Sequence, residues 1–339
     1  MNLNKGINFG GWFSQCNHSE LRYETFISEE DVIQVATWGF DHIRLPFDYE
    51  LIQNNDGSFI ESGFQRLDNF IQWCRKAKID VILDLHKACG YDFNEAETSK
   101  GNTLFYSEEL QNHFVNLWNE ISLRFGVYDN VAFELLNEVV EENAAEPWNK
   151  LIQKTVKTIR KNTKNTKIIY GGIQWNSANT VKLLDKPNDK NIIFTFHMYE
   201  PLIFTHQKAH WVPGMDLSKD IFYPASMDYF RKESIPLGYK GKDITETEGN
   251  FPCKKIMENM VIEAHKAAKS KGVPVYCGEY GVINQAPIKD TLLWLDDIQK
   301  IFKKYNIGNA LWTYKEMDFG LTENHYEEIR KSVIKLIVE

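Results

Sequence analysis

The sequence predicts an α/β fold, a closed (β/α)8 TIM barrel with an insertion between the sixth strand and the sixth helix. Three observations carry this. Short apolar, β-rich runs alternate with amphipathic stretches along the chain, and eight strand signals are each followed by a helical one. Polar residues end several of those apolar strands, as they do at the mouth of a barrel. One long stretch, residues 200–252, breaks the alternation. Strand–helix–strand units need crossovers, so the strands run parallel, and a count of eight favours closure over an open sheet.

The candidate strands are residues 6–11, 42–45, 80–85, 131–136, 167–171, 192–196, 274–277 and 310–312. Candidate helices begin near Ser28, Phe64, Glu108, Pro147, Thr180, Lys254, Lys289 and Glu323. Ser28-Glu29-Glu30-Asp31 reads as an N-cap with acids in the first turn, where they meet the positive end of the helix dipole. Pro147 fits a first helical turn, where its missing N–H leaves no bond unmade. The chain reads as one catalytic barrel domain over residues 1–339, with 200–252 as an inserted subdomain or cleft wall. That insertion holds Pro201, Pro213, Pro224, Pro236 and Pro252. Its aromatics, Trp211, Phe222 and Tyr223, argue against disorder.

The composition narrows the partners. The net charge is −8 with no Lys/Arg block, which speaks against nucleic acid. No apolar run reaches the roughly 18 residues that span a bilayer, so no membrane partner is expected. The N-terminus runs straight into a strand signal without a signal peptide. The protein is therefore expected either to stay in the cytoplasm or to be secreted with its leader removed. Nine Trp suit a site that stacks on the flat faces of sugars. Cys16, Cys74, Cys89, Cys253 and Cys277 are odd in number and widely spaced, so free thiols are expected rather than disulfides or a zinc site. No metal-ligand spacing or phosphate loop occurs, and no cofactor or metal is expected.

The chemistry lies at the strand ends. The second strand ends in Arg44, the third in His86, the fourth in Asn137-Glu138, the sixth in His197 and Tyr199, the seventh in Glu279 and the eighth in Trp312. An acid directly after a buried strand is costly unless it is paired. Glu138 and Glu279 face that cost on opposite sides of one barrel mouth. Two carboxylates across a site are what glycoside hydrolysis needs: one protonates the leaving oxygen, and the other attacks the anomeric carbon or activates water.

These residues resemble glycoside hydrolase family 5, the cellulase family. The likeness lies in Gly6-Ile7-Asn8-Phe9-Gly10-Gly11-Trp12, Asp41-His42-Ile43-Arg44-Leu45-Pro46, Leu83-Asp84-Leu85-His86 and Asn137-Glu138. It continues in Phe196-His197-Met198-Tyr199, Gly278-Glu279-Tyr280-Gly281 and Ala310-Leu311-Trp312-Thr313-Tyr314. Within the family the chain is most similar to the bacterial endoglucanase C type, through Phe204-Thr205-His206-Gln207-Lys208-Ala209-His210-Trp211 and the insertion around it. The resemblance implies a retaining enzyme with Glu138 as acid/base and Glu279 as nucleophile. It implies that Arg44 keeps Glu279 ionised, Asn137 holds the sugar 2-OH and His86 binds a hydroxyl. It further implies that His197 and Tyr199 bracket the carboxylates, with Tyr199 donating to the nucleophile, and that Trp312 is the sugar platform. His206, His210 and Trp211 are the insertion residues placed to reach the cleft. Where the family often carries His-His, this chain has His86-Lys87, so one far contact differs.

The substrate implied is a β-1,4-glucan or cello-oligosaccharide, taken by a monomer. A mixed-linkage or β-1,3-glucanase, a β-mannanase and an exo-acting β-glucosidase share the same barrel, because fold alone does not select the chemistry. A non-catalytic carbohydrate-binding barrel would lose a carboxylate, and both are present. A phosphate-binding barrel would need a glycine-rich loop that Gly278 and Gly281 do not make.

Overall fold

Eight parallel strands close in sequence order, β1 to β8 and back to β1. They are β1 (Lys5–Asn8), β2 (His42–Asp48), β3 (Asp80–Lys87), β4 (Val131–Glu134), β5 (Ile168–Gly171), β6 (Ile192–Met198), β7 (Val275–Tyr280) and β8 (Gly308–Leu311). The computed structural model describes residues 1–95 and 101–339.

Side chains alternate across a strand, so every second residue enters the barrel. Register sets Asn8 beside Arg44, Arg44 beside Ile82 and Ile82 beside Ala132. Two residues further on, Asp84 pairs with Glu134. The lower interior is apolar, a small cluster including Ile82, Ala132, Ile169, Tyr276 and Ala310. The layers above it turn polar. The larger apolar core lies outside, between strands and helices, and includes Ile43, Leu45, Phe133, Trp118 and Trp294.

Helices Glu29–Trp38, Glu61–Ala77, Glu108–Phe125, Ala145–Asn162, Lys254–Ser270, Ile288–Tyr305 and Arg330–Val338 wrap the sheet. Ser28 caps the first as the sequence predicts: its N–H donates to Asp31 Oδ2 at 2.8 Å, and Gly39 ends the helix at φ +97°. Pro147 lies in the first turn of its helix. The helix expected at Thr180 is instead a 3-10 helix, Ala178–Leu183. Thr180 Oγ1 donates to Ile173 O and Ser177 O, and this local pairing competes with an α-helical course.

β2 runs on to Asp48, so Arg44 lies inside the strand rather than at its end. The 200–252 stretch is built of short pieces, Leu202–Thr205, Met227–Ser234, Ile235–Gly241 and Lys242–Thr245. All five cysteines are free thiols; Cys74, Cys253 and Cys277 are buried, and Cys16 and Cys89 are half-buried. No helix of the described residues is long and apolar enough to cross a membrane.

Candidate active site

Arg44 is the centre of the upper barrel and is fully buried. A buried guanidinium needs acceptors for its fork of donors. Its Nε and Nη2 bond both oxygens of Glu134, at 2.8 and 2.9 Å. Nη2 also lies 3.0 Å from Asp84 Oδ2 and donates to Asn137 Oδ1 at 2.9 Å. Nη1 donates to Asn8 Oδ1 at 3.0 Å and to Glu279 Oε1 at 2.7 Å. Asn8, Asp84 and Glu134 escape the strand-end reading, because the candidate strands 6–11, 80–85 and 131–136 enclose them. The signal was present, since an acid within Ile82-Leu83-Asp84-Leu85 or Phe133-Glu134-Leu135 demands a partner. Burial pushes Asp84 up to about 7, against the pull of Arg44.

Glu279 receives a second donor, Tyr199 Oη at 3.0 Å on Oε2. Both contacts suit a carboxylate that accepts. Glu138 lies across from it. One oxygen of Glu138, one of Glu279 and a ring nitrogen of His197 all fall within 4.8 Å of one another. His197 Nδ1 is 2.8 Å from Glu138 Oε1 and 3.6 Å from Glu279 Oε2. Burial drives the acid/base candidate up to about 7, opposed by the charges of His86, Arg44 and Lys240. Burial also takes His197 down to about 4, so its imidazole is neutral at pH 7. The three groups are also spaced to hold a cation, as are His18, Asp48 and Glu50.

The other candidates line up around this pair. Asn137 follows β4; its Nδ2 is 3.4 Å from His86 Nε2, while His86 Nδ1 meets Asp84 at 2.6 Å. His86 therefore has its ring nitrogens engaged by protein, and its ring lies parallel to Trp312 at 5.8 Å. His206 stands edge-on to Tyr199 at 4.9 Å and packs on Phe319 at 5.3 Å, so it touches the tyrosine that donates to Glu279. Trp211 is 45% exposed and edge-on to His210. Among the described residues no hydrogen bond or ring contact joins Trp211 or His210 to the carboxylates. Lys87 pairs with Asp92 at 3.0 Å.

The insertion reaches the site region through other residues. Tyr239 Oη donates to Glu142 Oε1 at 2.7 Å, and Gln174 Nε2 donates to the same oxygen at 2.8 Å. Lys240 Nζ lies 4.9 Å over the ring of Trp175, and the backbone N–H of Trp175 donates to the carbonyl of Val139, next to Glu138. Nothing in the order of residues links Tyr239 to Glu142; only the fold does.

The comparisons with known proteins fit this geometry. A family model described as cellulase (glycosyl hydrolase family 5) matches residues 5–318. Cellodextrinase A of Ruminococcus flavefaciens is 40% identical over 305 residues, covering 90% of this chain and 83% of its own. Endoglucanase C of Acetivibrio thermocellus is 37% identical over 338 residues, covering 98% and 96%. Among solved structures, Cel5A of Thermotoga maritima in complex with cellobiose superposes with a TM-score of 0.76 at 23% identity, covering 99% of this chain and 97% of that one. A cellulose synthase subunit Z of Clostridioides difficile gives 0.79 at 21% identity over the full length of both chains.

Proposed function

The chain belongs to glycosyl hydrolase family 5, the cellulase family, and from that premise we propose that it is an endo-β-1,4-glucanase acting by double displacement with retention. The observation that carries the mechanism is the short span between Glu138 and Glu279, oxygens within 4.8 Å. Retaining enzymes hold their carboxyls about 5–5.5 Å apart, and inverting ones leave about 6.5–9.5 Å for a water.

In this reading Glu279 attacks the anomeric carbon while Glu138 gives its proton to the glycosidic oxygen, which departs with the aglycone. A covalent glycosyl ester forms on Glu279. Glu138, now a carboxylate, takes a proton from water, and the water's oxygen displaces Glu279. Two environments divide the labour: Arg44 and Tyr199 supply donors to Glu279, whereas burial keeps the proton on Glu138 near neutral pH. Trp312 and Asn137 serve the sugar at the reacting position, with His86 beside them. Residues 200–252 act as a wall of the same catalytic domain.

The relatives point to β-1,4-linked glucose as substrate: one is a cellodextrinase and another an endoglucanase. Carboxymethyl cellulose, lichenan, laminarin, mannan, xylan and short cello-oligosaccharides, assayed with product lengths, test this. Random shortening of carboxymethyl cellulose supports endo action. Release of a single short product from chain ends, or preference for mannan or laminarin, overturns it.

A further inference from the structure

Two buried asparagines face two buried histidines in the same way. Asn137 Nδ2 lies 3.4 Å from His86 Nε2, and His86 Nδ1 lies 2.6 Å from Asp84 Oδ2. Asn176 Nδ2 lies 3.5 Å from His197 Nε2, and His197 Nδ1 lies 2.8 Å from Glu138 Oε1. In the first set Arg44 donates to Asn137 Oδ1, which leaves Nδ2 as the group facing the ring. An imidazole nitrogen that receives a donor carries a lone pair, so the proton of the neutral ring sits on Nδ1. In the second set the carboxyls of Glu138 and Glu279 both face His197 Nδ1, and both favour a proton there.

The backbone of Asn176 is fixed in this place, and its side-chain Oδ1 is buried without a hydrogen-bond partner among the described residues. The residue is fully buried, and its backbone carbonyl accepts the His197 N–H at 2.9 Å. With Gln174 and Trp175 it forms three successive side-chain-bearing residues at φ +53°, +56° and +53°, a conformation such residues avoid and that tends to mark functional sites. The amide fills the space above Gly171, where a Cβ would lie 2.3 Å from Oδ1. A Cβ on Gly278 would in turn lie 3.1 Å from His197 Nε2. Two glycines therefore make room for one amide–imidazole contact.

The geometry points to Asn176 as a positioning residue for the hydrolytic reaction. By donating to His197 Nε2 it keeps the imidazole in its Nδ1–H form, so that His197 donates to Glu138 Oε1 and the acid's own proton rests on Oε2, available to the leaving oxygen. This rests on Glu138 being the acid/base, which azide rescue of Glu138→Gln tests separately.

Two-bond ¹H–¹⁵N spectra of the histidine rings at pH 7 test it, with the His197 signals assigned by their loss in His197→Gln. The wild type should carry its proton on Nδ1. Asn176→Ala should move the proton wholly or partly to Nε2, and Asn176→Asp, a pure acceptor, should place it there. Both variants should lower kcat/KM on cellotetraose about tenfold or more, the low end of what general acid help supplies. On dinitrophenyl β-cellobioside, whose leaving group needs no proton, kcat/KM should change less than about twofold. A wild-type ring protonated on Nε2 overturns the proposal and needs no variant to be read. So does a loss of activity in Asn176→Ala with ring protonation unchanged, or a variant unchanged in both respects.

Discussion

An oxygen of Glu138 lies within 4.8 Å of one of Glu279, with the neutral imidazole of His197 between them. That spacing makes the two carboxyls separable by experiment. Glu279→Gln should abolish turnover on every substrate while leaving circular dichroism unchanged. Glu138→Gln should keep measurable glycosylation on activated aryl cellobiosides, and external azide should restore its turnover and yield a β-azide. Failure of azide to act would remove Glu138 from the acid/base role.

The same spacing predicts stereochemistry. Proton NMR of early products from a cello-oligosaccharide should show the β-anomer first, with the α-anomer growing in by mutarotation. An initial α-product would mean inversion.

Glu138 also predicts a pH dependence. With its proton held to about 7, kcat/KM should fall as pH rises through about 7. Stability should follow the same group. The unfolded chain ionises near the ordinary glutamate value of 4.5, while the folded protein keeps the proton, so stability falls between the two values as pH rises. Glu138→Gln lifts that penalty. The variant should be more stable than wild type at pH 8, by up to about 3 kcal/mol, and no more stable at pH 4. Urea melts at both pH values check the sign.

Arg44→Ala should cost at least about 3–5 kcal/mol, because it leaves Asp84, Glu134 and Glu279 buried without their cation. Arg44→Lys should fold, with a lower midpoint and a lower kcat, since an ammonium cannot match the paired contact to Glu134. A lysine variant equal to wild type would show that the fork geometry is dispensable.

Trp211 tests the insertion as a cleft wall. Being 45% exposed, it should contribute little to stability, and Trp211→Ala should shift the thermal midpoint by about 2 °C or less. KM for carboxymethyl cellulose should rise several-fold. An unchanged KM would take Trp211 out of the cleft and leave the Tyr239–Glu142 contact as the insertion's link to the site.

Sequence periodicity was enough for seven of the eight strands, each a short apolar run with helical signals on either side, whereas the first, at the start of the chain, rested partly on the family resemblance. The polar strand-end residues were legible for the same reason: Glu138 and Glu279 stand out against the apolar residues before them. Asp84, Glu134 and Asn8 were harder, since their meaning depends on Arg44 lying a layer below the mouth, and only register shows that. Asn176 carried no signal at all; its role rests on a left-handed turn and on the space over Gly171. The short helices of 200–252 are too brief to leave a period, and Thr180 shows a local hydroxyl bond overriding a helical pattern.

The guanidinium of Arg44, on β2, is shared by Asn8 of β1, Asp84 of β3, Glu134 of β4 and Glu279 of β7. The first three lie on strands that are consecutive with β2 in the sheet, but β7 comes late in the chain, so the cation meets Glu279 only once the cylinder has closed. Assembly of the barrel and pairing of Glu279 with Arg44 are then one event. A partly wound chain would leave Arg44 without its contact to Glu279, and Glu279 without the donor that orients it. The protein therefore has a built-in test of completeness: molecules that have not shut the ring are both unstable and inert.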